Sequence, residues 1–244
     1  MIRAVLLGLT LPLAACSMSG GGDDDGTPGI PAQGAGGTRT YAVADFTEVD
    51  LRGSDDVDIR VGPGFSVRAD GDAEVLDHLK IEKVGTTLRI GRTGTSGWSW
   101  GGKGAKISVT LPRLAAAAVA GSGDITVDRV QGASFEASGA GSGTLSVAEL
   151  AVTDAKVSIA GSGGARLAGT ARSLTVAIAG SGDLDGRDLK ANGADVSISG
   201  SGSVRAQVTG DAKVSVMGSG DVDLGSAARC QVSKMGSGSV RCGG

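Results

Sequence analysis

The tripeptide Gly-Ser-Gly recurs seven times along the second half of the chain at nearly constant spacing, and no other feature narrows the fold as far. The copies are Gly121-Ser122-Gly123, Gly141-Ser142-Gly143, Gly161-Ser162-Gly163, Gly180-Ser181-Gly182, Gly200-Ser201-Gly202, Gly218-Ser219-Gly220 and Gly236-Ser237-Gly238, so successive copies lie 20, 20, 19, 20, 18 and 18 residues apart. A fixed period of this kind marks a repeat architecture. The flanks alternate: Val157 and Ile159 precede one copy and Ala165 and Leu167 follow it, and Val196, Ile198 and Val204 frame another. Period-2 apolar positions mean strands with one buried face. A unit this short suits one coil of a β-helix with two or three strands. Equivalent positions would then stack at about 4.8 Å, giving a solid roughly 30 Å tall. Glycine suits each corner because it takes positive φ and lets stacked backbones approach closely. Serines 122, 142, 162, 181, 201, 219 and 237 should form one column.

Composition agrees with a narrow core. The chain has 44 Gly and only six aromatic residues in 244, so small β-branched side chains must fill the interior. The regular alternation beside the glycines argues against disorder. Net charge is -3 with both signs interspersed, leaving no basic stripe for a phosphate backbone and no aromatic platform for bases. Nucleic acid is not expected as a partner.

The first fifteen residues read as a secretory signal. Arg3 supplies the positive start, Ala4 to Leu13 an apolar run too short to span a bilayer, and Leu13-Ala14-Ala15-Cys16 resembles the lipobox of bacterial lipoproteins. That resemblance implies a mature chain starting at acylated Cys16, each buried CH₂ contributing about 0.8 kcal/mol of membrane affinity. A plain signal peptide with an incidental cysteine, or a buried free thiol, is the alternative. Ser17 after the cysteine points, by the rule of that family, to the outer membrane. Residues 16–37 read as a lipidated flexible tether, with a reach of about 25 Å.

Residues 38–112 look like degenerate first coils and a cap, continuous with the regular coils of 113–244. Val49 and Leu51, then Gly53-Ser54-Asp55, then Val57, Ile59 and Val61 copy the repeat with Asp for the second Gly. A strand near Phe65 to Arg68, a helical turn near Ala73 to Leu79, a hairpin of Lys80–Val84 with Leu88–Arg92, and a strand at Lys106–Leu111 complete this part. Irregular terminal repeats are expected, since they cover an otherwise open stack.

Cys230 and Cys242 lie six residues either side of Gly236, both on the inward face of the final coil. A disulfide there suits an oxidising compartment and would stabilise by roughly 3 kcal/mol in the chain-entropy model. Two buried thiols or a metal pair are the alternatives, the latter lacking further Cys or His. Lys234 takes the inward position that Val216 holds one coil earlier, which only a last coil tolerates.

Catalytic patterns are sparse. His78, the only histidine, reads as a surface residue of the helical turn, and no triad or zinc set accompanies it. Asp124, Asp183 and Asp221 each follow a second glycine. They could line a cation edge, but the reading favoured is Asp closing turns through its own backbone. Carboxylate chemistry on a coil face would need convergent sets. Asp124 with Arg166 and Asp183 with Arg205 are the candidates, and they differ from coil to coil. No metal and no cofactor is expected. Trp98 and Trp100 stand in the Gly-rich loop 94–104, where they either stack on a sugar or partner or fold back over the end of the core.

The stretch Phe46-Thr47-Glu48-Val49-Asp50-Leu51-Arg52-Gly53-Ser54, the hairpin ending Thr87-Leu88-Arg89-Ile90, and Val109-Thr110-Leu111-Pro112 leading into Gly121-Ser122-Gly123-Asp124 together resemble the bacterial family called putative auto-transporter adhesin, head GIN domain. The resemblance covers about residues 40–242. It implies an all-β fold, a right-handed single-stranded β-helix like those of the pectin-lyase type without their catalytic residues, with an irregular N-terminal cap. It implies adhesion, and it carries over no binding residues. The terminal cysteine pair and the lack of aromatics between coils depart from many relatives. The expectation is therefore a lipid-anchored envelope module, not an enzyme, for adhesion or scaffolding. The alternatives are a polysaccharide-active β-helix enzyme and a purely structural lipoprotein facing the periplasm. Its partners would be the membrane and an envelope glycan or protein, with self-association left open.

Overall fold

Where the backbone turns is dictated by the glycine columns. In the computed structural model, which describes residues 28–93 and 104–243, the first glycine of every tripeptide has positive φ, from +117° at Gly141 to +135° at Gly200, and Gly53 matches them at +131°. The second glycine is needed for space instead. A Cβ on Gly143 would stand 2.1 Å from the carbonyl oxygen of Gly123, and one on Gly202 2.2 Å from that of Gly182. One glycine bends the chain; the other lets the next coil settle on it. Above each corner the first glycine's carbonyl collects the next coil's amides: Gly121 O accepts from Ser142 N at 2.9 Å and Gly143 N at 3.0 Å.

The strands run β1 Ala32–Gln33, β2 Thr38–Tyr41, β3 Glu48–Gly53, β4 Asp56–Val61, β5 Ser66–Asp70, then the helix α1 Ala73–Asp77, and β6 Leu79–Val84, β7 Thr87–Arg92 and β8 Lys106–Leu111. The regular coils follow as β9 Ala116–Gly121, β10 Ile125–Gly141, β11 Thr144–Gly161, β12 Gly164–Gly180, β13 Asp183–Gly200, β14 Ser203–Val208, β15 Asp211–Gly218, β16 Asp221–Asp223, β17 Arg229–Met235 and β18 Val240–Arg241. The fold is a β-solenoid of about six turns: β3 and β4 stack parallel on the regular coils, every pairing from β9 onward is parallel, and β5 and β6 pair antiparallel within the cap. Gly53 lies over Gly121, Gly121 over Gly141, and the series continues through Gly161, Gly180 and Gly200 to Gly218.

Like stacks on like inside as well. One inward column runs Leu88, Val49, Ala117, Ala137, Val157, Val176, Val196, Val214 and Val232. The next runs Ile90, Leu51, Val119, Gly139, Ile159, Ile178, Ile198, Val216 and Lys234 along the same ladders. Gly139 interrupts it: a Cβ there would meet nothing within 4 Å, which leaves an empty niche in the column.

At the start, β6 and β7 form the expected hairpin, with Leu79 opposite Arg92 and Val84 opposite Thr87. Residues 28–37, taken from sequence as the end of the tether, are instead part of the solid. β1 pairs antiparallel with β2, Ile30 N donates to Ile81 O at 2.7 Å, and Ile30 packs on the core. The reason is edge coverage: without this strap the first antiparallel strands would expose unpaired backbone. Phe46 is fully buried and meets Phe65 with ring centroids 5.1 Å apart.

At the other end Cys230 and Cys242 are joined, with Cα atoms 6.1 Å apart. Both are partly buried against the core, and Val232 is half exposed because no coil follows. Lys234 lies in register with Val216 and turns its Nζ to the Gly238 carbonyl at 2.8 Å.

Candidate functional site

Outside the solenoid each strand position becomes a column, and three surfaces result. The first follows the corners. Its serines, 122 through 237, are all exposed and form one ridge. Beside them stand Asp56, Asp124, Thr144, Gly164, Asp183, Ser203, Asp221 and Ser239 in register. These aspartates do not close their own turns, which corrects the expectation from sequence. Asp124 accepts from Thr144 N at 2.7 Å, one coil on. Asp183 accepts from Ser203 N at 2.9 Å and Ser203 Oγ at 2.6 Å, and Asp221 from Ser239 in the same way at 3.0 and 2.6 Å. The next coil is only one hydrogen-bond spacing away, so its amide is as near as any local one. The Ser239 bonds hold the Asp221 carboxyl below the usual range. Turn closure falls to another residue, Asp223, which accepts from Gly225 N at 3.1 Å.

Two residues further on, the outward column reads Arg166, Asp185, Arg205, Asp223, Arg241 in strict alternation. Opposite charges thus face each other at every step, the favourable cross-strand arrangement. Asp185 also bonds Arg187, whose guanidinium draws its carboxyl down to about 2. The candidate pair Asp183 and Arg205 is one coil and two residues apart, and Asp124 and Arg166 two coils and two residues. Carboxylates and guanidinia here join coils. They do not converge on a common point.

The second surface is the outer face of the strands that lead into the corners. Across the regular coils two of its three outward columns are neutral and mostly small. Ala118, Ser138, Ser158, Ala177, Ser197, Ser215 and Ser233 form one column, and Ala120, Ala140, Ala160, Ala179, Ser199, Met217 and Met235 the next. A shallow depression of about 490 Å³ lies over it, lined by Ala118, Ala140, Ala160, Ala179 and Ser199 among others. Met217 and Met235 are the most exposed large apolar residues described, at 60% and 71%. One edge is a third column, Ala116, Glu136, Lys156, Thr175, Asp195, Lys213 and Gln231. Lys156 Nζ meets Glu136 Oε1 at 2.8 Å within it.

The third surface belongs to the N-terminal cap. Asp55, which replaces the second glycine of the first corner, is fully buried; it accepts from Arg92 Nε at 2.9 Å and Ala105 N at 2.7 Å. The bond to Asp55 raises Arg92 above its usual range. Nearby, Lys80 is paired with Glu82, and Arg52 with Asp50 at 3.0 Å. The sequence suggested the substitution at Asp55 but not its burial, because Arg92 reaches it from a strand 37 residues away.

Cys16, Trp98 and Trp100 lie outside the described residues. His78 caps the C-terminus of α1 and is half buried. Among the described residues no three His, Cys, Asp or Glu side chains are grouped so as to hold a metal ion, and no helix is long and apolar enough to cross a membrane.

A family model described as putative auto-transporter adhesin, head GIN domain, matches residues 45–228. Solved structures share the fold. One of a putative adhesin from Bacteroides fragilis has a TM-score of 0.75 at 21% identity, covering 84% of this chain and 95% of that one. A putative lipid binding protein from Parabacteroides distasonis gives 0.63 at 23% identity over 86% and 98%. A putative adhesin from Parabacteroides merdae gives 0.64 at 17% over 84% and 95%. No curated protein matches the chain.

Proposed function

The chain belongs to the putative auto-transporter adhesin, head GIN domain family, and on that footing we propose that it is a non-catalytic adhesion module of the cell envelope, held to the outer membrane through acylated Cys16. The observation that carries the reading is the use made of charge. Asp124, Asp183 and Asp221 each bond the following coil, and the Arg166 to Arg241 column alternates sign. Such groups stiffen a rod; an acid and a base poised over a substrate would need to converge and stay available. A stiff solenoid with long uniform columns suits presentation of a surface at a distance from a bilayer.

The test has two arms. In cells fed an alkyne-tagged fatty acid, the wild-type chain should carry label and partition into detergent, and Cys16→Ser should lose both. Binding of the chain to envelope extract, compared with a Trp98→Ala/Trp100→Ala variant, then reads adhesion. Unlabelled wild-type protein would remove the anchor from the proposal. Turnover of an envelope glycan, abolished by changing Asp183 or Arg205 alone, would replace adhesion by catalysis.

A further inference from the structure

The small-residue face is a long surface whose two inner columns carry no charge across the seven regular coils, and its edge column has an order that the fold does not require. Reading outward positions along the seven regular coils β9, β10, β11, β12, β13, β15 and β17, the edge runs Ala116, Glu136, Lys156, Thr175, Asp195, Lys213, Gln231, and beyond Ala116 it continues into Glu48 of β3 and Thr87 of β7, which overhang this seven-coil face. In signs this is neutral, minus, plus, neutral, minus, plus, neutral. Turned end for end, it becomes neutral, plus, minus, neutral, plus, minus, neutral, the complement of itself about Thr175.

We propose that this face binds a second copy of the chain, face to face with antiparallel solenoid axes, about a twofold axis that passes along β12. An axis in the plane of the interface and parallel to the strands sets each column against its own image with the coil order reversed. Glu136 then faces Lys213 of the other copy and Lys156 faces Asp195, twice each by symmetry. Such isologous pairing is the usual form of a closed dimer. Shape follows the same rule. The two large side chains of the inner column, Met217 and Met235, fall opposite Ala140 and Ala120, where the depression leaves room. Ala177 and Ala179 meet their own images at the centre.

The area suffices. Seven strands about 4.8 Å apart with three outward positions about 6.7 Å apart make a face of roughly 600 Å² per copy, and the resulting total of about 1,200 Å² exceeds the ~1,000 Å² that a specific interface needs. It stands at the low end, so a reversible dimer is expected. Antiparallel axes put the two chain starts at opposite ends of the pair. Under the envelope anchoring proposed above, copies on two apposed surfaces could clasp in this way; that step rests on that reading, whereas the dimer in solution does not.

Sedimentation velocity on the purified chain carrying Cys16→Ser, which removes the acyl site without touching the solenoid, reads the dimer directly. A concentration-dependent dimer by about 100 µM is expected. Lys213→Glu, at an exposed position, should weaken it at least tenfold, and adding Glu136→Lys should restore it to within about threefold by exchanging the signs. Register is read by crosslinking with a bis-maleimide of about 10 Å, the spacing of packed sheets. Ala179→Cys should join to its own image, and Ala120→Cys, about 29 Å from its image, should not. Circular dichroism of each variant guards against misfolding. A chain that stays monomeric up to about 1 mM would overturn the proposal. So would a dimer indifferent to Lys213→Glu, or one that crosslinks through Ala120→Cys and not Ala179→Cys. Fatty-acid labelling at Cys16 is unaffected by any of these outcomes, so failure of the dimer and failure of the anchor are separable.

Discussion

Replacing Gly180 by alanine tests the corner geometry most sharply, because two separable costs meet there. Its φ is +123°, and a Cβ would stand 2.4 Å from the carbonyl oxygen of Gly161, which already accepts a hydrogen bond from Ser181 N at 2.8 Å. Holding a non-glycine residue at such a φ costs about 1–3 kcal/mol. Relieving the overlap, which forces one coil off the next, costs about another 1–3 kcal/mol. Together these give roughly 4 kcal/mol, a large part of the 5–15 kcal/mol typical of a domain. Gly182→Ala separates the terms. Its φ lies outside the positive range, and its Cβ would meet Gly163 O and Ile159 Cγ2 at 2.5 Å each, so only the packing cost of about 2 kcal/mol applies. Gly139→Ala should go the other way, because its Cβ meets nothing within 4 Å and a strand glycine is about 0.5–1 kcal/mol worse than alanine. Urea unfolding followed by far-ultraviolet circular dichroism gives the order, and hydrogen exchange at the Ser181 and Ser201 amides locates the damage. If Gly180→Ala falls within about 0.5 kcal/mol of wild type, or no better separated from Gly139→Ala than the error, the reasoning from φ and overlap is wrong.

Other consequences follow from single sites. Removing the Cys230–Cys242 bond by a double alanine substitution should fray β17 in hydrogen exchange and leave β10–β13 protected, at a cost of roughly 3 kcal/mol in the chain-entropy model. Asp55→Asn leaves Arg92, only 18% exposed in its side chain, without its countercharge, and should cost about 3 kcal/mol in the same urea assay. Asp185 is held at about 2 by Arg187, below the unfolded value of about 3.9. The stability this pair contributes is therefore full above about pH 4 and is lost as pH falls through 2. The difference in melting temperature between wild type and Arg187→Ala should be constant from pH 7 to 5 and shrink toward zero at pH 2.

Much of the fold could be read from the chain because a solenoid repeats one decision many times. The seven tripeptides placed the corners, and alternation around Val157, Val176 and Val196 placed the inward columns. The hairpin of β6 and β7 and the strand β8 were visible because their apolar periods are local. What escaped the sequence depends on neighbours distant in the chain. Residues 28–37 carry no apolar period and dock only because the first strands need covering. Asp124, Asp183 and Asp221 looked like turn formers because local bonding is the ordinary habit of Asp, but a stack offers amides one coil away at equal distance. Asp55 gave no sign of burial, since Arg92 and Ala105 are far along the chain. The Ala and Ser residues of the outer face were legible as outward positions. Their joint meaning as a surface appears only when the strands are laid side by side.

Spin labels on pairs of corner serines measure the stacking itself. With labelled chain diluted into unlabelled chain, so that only distances within one copy count, Ser142 with Ser219, Ser122 with Ser219 and Ser122 with Ser237 span four, five and six coil steps. The expected separations are about 19, 24 and 29 Å, rising by about 4.8 Å per step. Distances that fail to rise with the number of coils, or that vary between pairs with no common increment, would contradict the solenoid and all that is built on it.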